Sequence, residues 1–118
     1  VPVISMEAAS RVLIVDDEEN IRHMLTLTLR KEGYQVKAVP DGQAALDELN
    51  LTDYALVLCD IRMPTLDGMG LLAELQKRRV VTTVIMMSAY ADVDDALAAI
   101  KAGAYDYIAK PFRKEEIL

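Results

Sequence analysis

The chain has 118 residues, of which 53% are hydrophobic, so it is the size of one domain with a substantial core rather than a disordered chain. Its formal net charge of −6 disfavours direct binding of nucleic acid, which needs a basic face. The single cysteine, Cys59, rules out an internal disulfide and fits a reducing cytoplasmic compartment, and the lack of a long apolar run or a cationic leader argues against membrane association.

The N-terminal part of the chain leads into a short apolar strand. Residues 1–10 show no pattern of a regular element and are expected to form a tail, with Met6 as a candidate natural start and residues 1–5 as additions from cloning. The apolar run Val12–Val15 predicts the first strand. Four acids follow, Asp16 to Glu19, and acids are favoured where a helix begins because the helix N-terminus carries partial positive charge.

The first helix is predicted over residues 19–32. Residues 24–29 also alternate in a strand-like way, which is a competing signal. The acidic start, the length of the segment and Gly33 in the position of a C-terminal stop favour the helix.

The same alternation of strand and helix continues to the end of the chain. Asp67 is a candidate cap for the helix that follows it. The remaining predicted elements are a strand over 34–39, a helix over 43–49, a strand over 55–59, a helix over 69–78, a strand from 81 or 83 to 87, a helix over 92–101, a strand from 105 or 106 to 109, and a helix from 112 that the end of the chain cuts short.

Five strand–helix repeats with short loops predict an α/β fold with one doubly wound, five-stranded parallel sheet, flavodoxin-like and of (βα)5 form. The central strand is the one that ends at Cys59, because its apolar run is typical of a strand buried on both faces. The folded domain is expected over residues 11–118, with its last helix truncated, which suggests a piece of a longer protein.

Polar side chains stand at the carboxyl ends of the predicted strands, which share one edge of a parallel sheet. Three carboxylates gathered at one edge repel one another and need a cation, and oxygen ligands without a His or Cys cluster suit Mg²⁺. A carboxylate nucleophile, a metal and a lysine are the parts that phosphoryl transfer requires. The residues at this edge are Asp16 and Asp17, Asp60, Ser88 and Lys110.

Taken together and in this order, these motifs resemble the receiver (phosphoacceptor) domain of two-component response regulators. The resemblance covers Arg11 to Leu118. It rests on the motifs Val15-Asp16-Asp17-Glu18, Asp60-Ile61-Arg62-Met63-Pro64 with Leu66-Asp67-Gly68, Ser88-Ala89, Gly103-Ala104, and Asp106-Tyr107-Ile108-Ala109-Lys110-Pro111-Phe112.

The resemblance implies a role for each residue at the site. Asp60 would accept a phosphoryl group from the phosphohistidine of a sensor histidine kinase. Asp17 and Asp60 would hold Mg²⁺ directly together with the backbone carbonyl of Arg62, and Asp16 would act on the ion mostly through water. Lys110 would pair with the carboxylate and then with the phosphoryl group.

The resemblance also implies a switch. Pro111 would follow a cis peptide bond that aims the preceding lysine, and Ser88 would turn inward to bond a phosphoryl oxygen. Tyr107 would then rotate from outside to inside, changing the surface formed by the fourth helix, the fifth strand and the fifth helix. Arg62 and Tyr90 would tune dephosphorylation.

The implied partners are a sensor kinase and an output domain beyond this chain, which the resemblance favours as transcriptional. A homodimer through the fourth-helix to fifth-helix face is a further expectation. The domain itself is expected to be a signalling module with slow autodephosphorylation rather than a turnover enzyme.

Other interpretations remain open at this point. A stand-alone single-domain regulator is the nearest alternative. A Mg²⁺-dependent phosphohydrolase would normally carry an Asp-X-Asp pattern, whereas Arg62 stands two residues after Asp60. A flavin-binding module on the same fold would need a Ser/Thr/Gly-rich phosphate loop after the first strand, where this chain has four acids.

A large side chain at position 90 would hinder the water that attacks the phosphorylated carboxylate. Replacing Tyr90 with alanine should therefore speed the loss of the phosphoryl group, measured as the decay of the phosphorylated mass with time. An unchanged decay rate would show that Tyr90 does not shield the group.

Overall fold

Five parallel strands form one sheet in the computed structural model, which describes residues 10–63, 66–80, 82–88 and 93–109. The order across the sheet is β2-β1-β3-β4-β5. The strands are β1 (Arg11–Val15), β2 (Gln35–Val39), β3 (Leu56–Asp60), β4 (Thr83–Ser88) and β5 (Asp106–Ala109). The helices between them are α1 (Glu19–Lys31), α2 (Gly42–Leu51), α3 (Gly68–Lys77) and α4 (Val93–Lys101).

Each central strand is buried on both faces, because successive side chains point to opposite sides of the sheet. In β1, Leu13 and Val15 belong to the core beneath α2, α3 and α4. Val12 and Ile14 belong to the core on the other face, where α1 packs. This is the doubly wound arrangement that the alternation of strands and helices predicted.

Two strand ends lie one residue further along than the sequence predicted. Asp60 is the last residue of β3 and pairs with Met87, and Ser88 is the last residue of β4 and pairs with Ala109 rather than lying in the loop. Both shifts have one cause, since ladder pairing is a property of the backbone and continues through a polar side chain.

Residues 24–29, whose sequence alternates as in a strand, form part of the helix α1. Leu25 and Leu29, four residues apart, are the side chains that α1 buries. Leu27, which a strand would have placed on the same buried face as Leu25 and Leu29, is exposed.

The second helix is longer than predicted at both ends. The Asp41 side chain accepts a hydrogen bond from the backbone N–H of Ala44 at 2.8 Å, so the helix begins one residue earlier. At the other end, the N–H of Thr52 donates to the carbonyl of Glu48 and carries the helical bonding beyond the predicted stop.

The predicted cap of the third helix is confirmed. The Asp67 side chain accepts a hydrogen bond from the backbone N–H of Gly70 at 2.8 Å. The helix then begins at Gly68, whose Cα is pressed against β3: a Cβ added there would lie 2.7 Å from the backbone oxygen of Asp60 and 2.9 Å from the Cα of Ile61.

The predicted tail over residues 1–9 and the predicted last helix from residue 112 lie outside the described residues. Among the residues that are described, no helix is long and apolar enough to cross a lipid bilayer.

The close approach of Gly68 to β3 generates a stability prediction. Gly68→Ala should lower the free energy of unfolding by about 1–3 kcal/mol, because the added methyl group meets backbone atoms that cannot move aside. Gly70→Ala is the matched control, since its Cβ would meet the end of the Leu66 side chain, which can change rotamer. Urea denaturation of both variants measures the difference, and equal stability would contradict the packing at Gly68.

Candidate metal centre

The carboxyl ends of β1 and β3 meet because the two strands are parallel neighbours. Val15 pairs with Cys59 in the ladder. Asp16 is the residue after Val15 and Asp60 is the residue after Cys59, so the two aspartates lie side by side. The sequence therefore delivers two carboxylates to the same point of the sheet edge.

Asp16 is fully buried and held by hydrogen bonds at three places. Its backbone N–H donates to the carbonyl of Val39 at 3.2 Å. Its Oδ1 accepts from the backbone N–H of Glu18 at 2.9 Å, and its carbonyl accepts from Nη1 of Arg22 at 2.7 Å. These bonds fix the turn that links β1 to α1.

Asp60 is 6% exposed, so it is largely shielded from solvent at the end of β3. Its Oδ1 accepts a hydrogen bond from the backbone N–H of Arg62 at 3.3 Å. Its backbone carbonyl accepts from the Cys59 thiol at 3.3 Å and faces Gly68. The side chain is thus set by the strand on one side and by the following loop on the other.

Four carboxylates converge at this edge, and oxygens of all four lie within 4.8 Å of one another. Asp16 and Asp60 are buried, and Asp17 and Glu18 are exposed. Such a set is mutually repulsive, and its hard oxygen donors at close range fit a cation such as Mg²⁺. Of the predicted metal ligands, the three aspartates are therefore brought together.

Glu18 belongs to this cluster and was missed by the sequence reasoning, which took it only as an acid at a helix start. It occupies the N-cap position of α1, yet its side chain makes no capping hydrogen bond. The available signal was its place as the third of four consecutive acids after a buried strand. Which way its side chain would turn depends on the shape of the β1–α1 turn.

The electrostatic field of the cluster reaches the adjacent core. Burial raises the pKa of the Cys59 thiol well above its usual range, and the nearby carboxylates of Asp60, Asp16 and Asp67 raise it further. The thiol therefore stays protonated, as expected of a packed core cysteine without reactivity.

Arg62 lies on the surface at the entrance to the cluster. With Asp17, Met63 and Asp67 it lines an open depression beside the acids.

The two predicted switch residues occupy neighbouring strands. Ser88 is 1% exposed and stands at the end of β4, one residue beyond the partner of Asp60. Tyr107 is half-buried, pairs with Met86 and packs against the core under α2, α3 and α4. Lys110, Pro111 and Tyr90 lie outside the described residues.

A family model supports the assignment suggested by this geometry. The model for the response regulator receiver domain matches residues 12–118, which is nearly the whole chain and includes every predicted site residue.

Curated relatives include longer regulatory proteins. The regulatory protein AtoC of Escherichia coli strain K12 is 41% identical over 112 residues, which cover 95% of this chain and 24% of that protein. The transcriptional regulatory protein TcrA of Mycobacterium tuberculosis is 37% identical over 107 residues, covering 91% of this chain and 42% of that protein. The chain therefore spans less than half the length of each of these relatives.

Solved structures with the same fold are receiver domains and response regulators. The receiver domain of Francisella response regulator 1452 superposes with a TM-score of 0.87 at 32% identity, covering 92% of this chain and 89% of that one. Response regulator protein TrrA of Thermotoga maritima, in complex with Mg²⁺-BeF, gives 0.81 at 34% identity with 92% of both chains covered. From the family match, the shared fold and the acidic sheet edge together, this chain belongs to the response regulator receiver domains.

Proposed function

We propose that Asp60 accepts a phosphoryl group from the phosphohistidine of a sensor histidine kinase. The observation that carries the proposal is a buried Asp60 whose carboxylate oxygen lies within 4.8 Å of carboxylate oxygens of Asp16, Asp17 and Glu18. Family membership favours the aspartate at the end of β3 as the acceptor.

In the proposed transfer, an Asp60 carboxylate oxygen attacks phosphorus and forms the new P–O bond. The P–N bond to the kinase imidazole breaks, and its electron pair stays on the histidine nitrogen. Asp60 is suited to this role because its backbone is held by the strand ladder, so the side chain is oriented before the donor arrives.

The donor set at the sheet edge fits Mg²⁺. Asp17, Asp60 and the backbone carbonyl of Arg62 would hold the ion directly, and Asp16 would act through water. Glu18 joins this set on the grounds of its position in the cluster. Bound Mg²⁺ would offset the negative charge shared by the carboxylates and the transferred group.

Lys110 would steady the phosphoryl group as a point charge, and Pro111 would set the direction of that lysine. Ser88 would donate a hydrogen bond from the buried end of β4, and Tyr107 would respond by changing its packing. The altered surface would comprise α4, β5 and the predicted helix from residue 112.

Arg62 at the entrance and Tyr90 would set how fast water removes the phosphoryl group from Asp60.

The downstream consequence is proposed from the relatives. AtoC and TcrA carry the names of regulatory proteins, and the receiver region is a minor part of each. We therefore favour control of a transcriptional output domain, with a homodimer through the face of α4, β5 and the predicted helix from residue 112 as one route. The reaction would take place in the cytoplasm, where a sensor kinase presents its phosphohistidine.

Phosphorylation can be tested directly. Incubation with a small-molecule phosphoryl donor and Mg²⁺ should add one phosphoryl group to the intact protein, and omission of Mg²⁺ should prevent it. Asp60→Asn should remove the gain, because the amide is not a nucleophile of the required kind. Intact mass measures each outcome.

Asp53→Asn is the matched control for this variant, since Asp53 is an exposed acid at the opposite end of β3. It should gain the phosphoryl group as the wild type does. A folded wild type that gains no mass, or an Asp60→Asn variant that still does, would contradict the assignment of Asp60.

Membership of Glu18 in the metal site gives a second test. Glu18→Gln should weaken Mg²⁺ binding by about three- to ten-fold, up to about 1.4 kcal/mol, because one carboxylate of four is neutralised. Without metal, the same variant should be at least as stable as the wild type, because one source of repulsion is gone. Calorimetric titration and thermal unfolding with and without Mg²⁺ give both quantities.

Glu19→Gln controls for the overall change of charge. Glu19 is the next residue along the chain and is exposed, but it is not among the clustered acids. A Mg²⁺ affinity lowered equally in both variants would show that only net charge matters and that Glu18 has no place in the site.

A further inference from the structure

Arg22 connects the first helix to the metal site. Its Nη1 lies 2.7 Å from the backbone carbonyl oxygen of Asp16, six residues earlier in the chain. The side chain is half-buried, so this charge-assisted hydrogen bond is partly shielded from water. No pattern in the sequence indicates this contact.

The bond matters because it links the turn between β1 and α1 to the side of the helix that follows. The helix has no side-chain cap, since the Glu18 side chain makes no capping bond. Asp16 is tied to β2 through its N–H and to the Glu18 N–H through its carboxylate. Arg22 supplies the bond to its carbonyl and so anchors the turn to the body of α1.

Three of the four clustered carboxylates are side chains of residues in this turn: Asp16, Asp17 and Glu18. A turn that shifts by a fraction of an ångström moves all three relative to Asp60. Mg²⁺ demands near-ideal coordination geometry, so its affinity is sensitive to such a shift.

We propose that Arg22 is a positioning residue for the metal site, holding the Asp16–Glu18 turn in the geometry that binds Mg²⁺. The inference rests on the proposed Mg²⁺ site. It assigns Arg22 no contact with the ion or with the phosphoryl group.

The charge of Arg22 and its hold on the turn should change the affinity for Mg²⁺ in opposite directions, which makes the proposal testable. A guanidinium beside the cluster repels a cation, so if Arg22 acted only through its charge, removing it would tighten Mg²⁺ binding. If Arg22 acts by holding the turn, removing it weakens Mg²⁺ binding although a repelling charge is lost.

Arg30→Gln is a matched control within the same helix. Arg30 also donates a guanidinium hydrogen bond to a backbone carbonyl of a neighbouring strand, from Nη2 to Val36 at 3.3 Å. It lies near the other end of α1, away from the four clustered carboxylates. The two variants therefore lose the same charge and the same type of bond at opposite ends of one helix.

The experiment is a calorimetric titration of the whole chain with Mg²⁺ below its unfolding temperature, using wild type, Arg22→Gln, Arg22→Lys and Arg30→Gln. Arg22→Gln should bind Mg²⁺ about three- to ten-fold more weakly, less than is typical when a direct partner of a ligand side chain is lost. Arg22→Lys should recover part of the affinity, because one donor can still reach the carbonyl. Arg30→Gln should stay within about two-fold of the wild type, as expected for an exposed charge at this distance.

Unchanged or tighter binding in Arg22→Gln overturns the inference while leaving the metal site intact. A loss shared equally by Arg30→Gln also overturns it, because the effect would then belong to the helix as a whole. If Arg22→Gln does not fold, Arg22→Lys decides: weaker binding supports positioning, and wild-type affinity contradicts it. A wild type that binds no Mg²⁺ removes the proposed site and the inference together.

Discussion

Repulsion among four carboxylates at one sheet edge is the constraint on which this molecule is organised. Like charges so close together would separate in a flexible chain, so the fold has to hold them against their own field. It does so by attaching Asp16 and Asp60 to the ends of adjacent strands whose ladder is buried on both faces. Burial raises the pKa of the neighbouring Cys59 thiol, and the carboxylates of Asp60 and Asp16 raise it further, so their field also acts on the core.

The supports of the acidic edge come from all sides of the sheet. Asp16 is tied to β2 by its backbone and to α1 by Arg22. Asp60 is bounded by Gly68 at the start of α3, where the lack of a side chain lets the helix approach the strand. Each helix next to the site thus helps to fix a carboxylate, and the same close contacts can carry a change at the site outward.

Much of the fold follows from the sequence, because alternating apolar strands and capped helices leave few alternatives. The cap at Asp67 could be predicted from its place before an apolar helix, whereas Asp41 in Pro40-Asp41-Gly42 suggested only a turn. Strand ends were placed one residue short, because Asp60 and Ser88 have polar side chains on backbone that still pairs.

The candidate site could be predicted only in part, for a related reason. Parallel strand ends share an edge, and that rule alone is enough to bring Asp16, Asp17 and Asp60 together. The places of Glu18 and Arg22 depend on the conformation of the turn after β1, which no periodicity encodes. Sequence patterns predict residues placed by regular structure well, and they predict residues placed by irregular turns poorly.

The crowded acids also explain how a small chemical event could have a large effect. A bound cation would relieve the repulsion among the carboxylates, and a phosphoryl group would add to it. The binding of one must therefore alter the binding of the other. In the proposed switch, the free energy available to move the rest of the domain would be the difference between the phosphoryl group's interactions with the two packings, and it could not exceed that difference. In the proposed switch, this difference would pass from the charged edge to the surface through two residues: Ser88, buried at the end of the strand next to that of Asp60, and Tyr107, half-buried one strand further out.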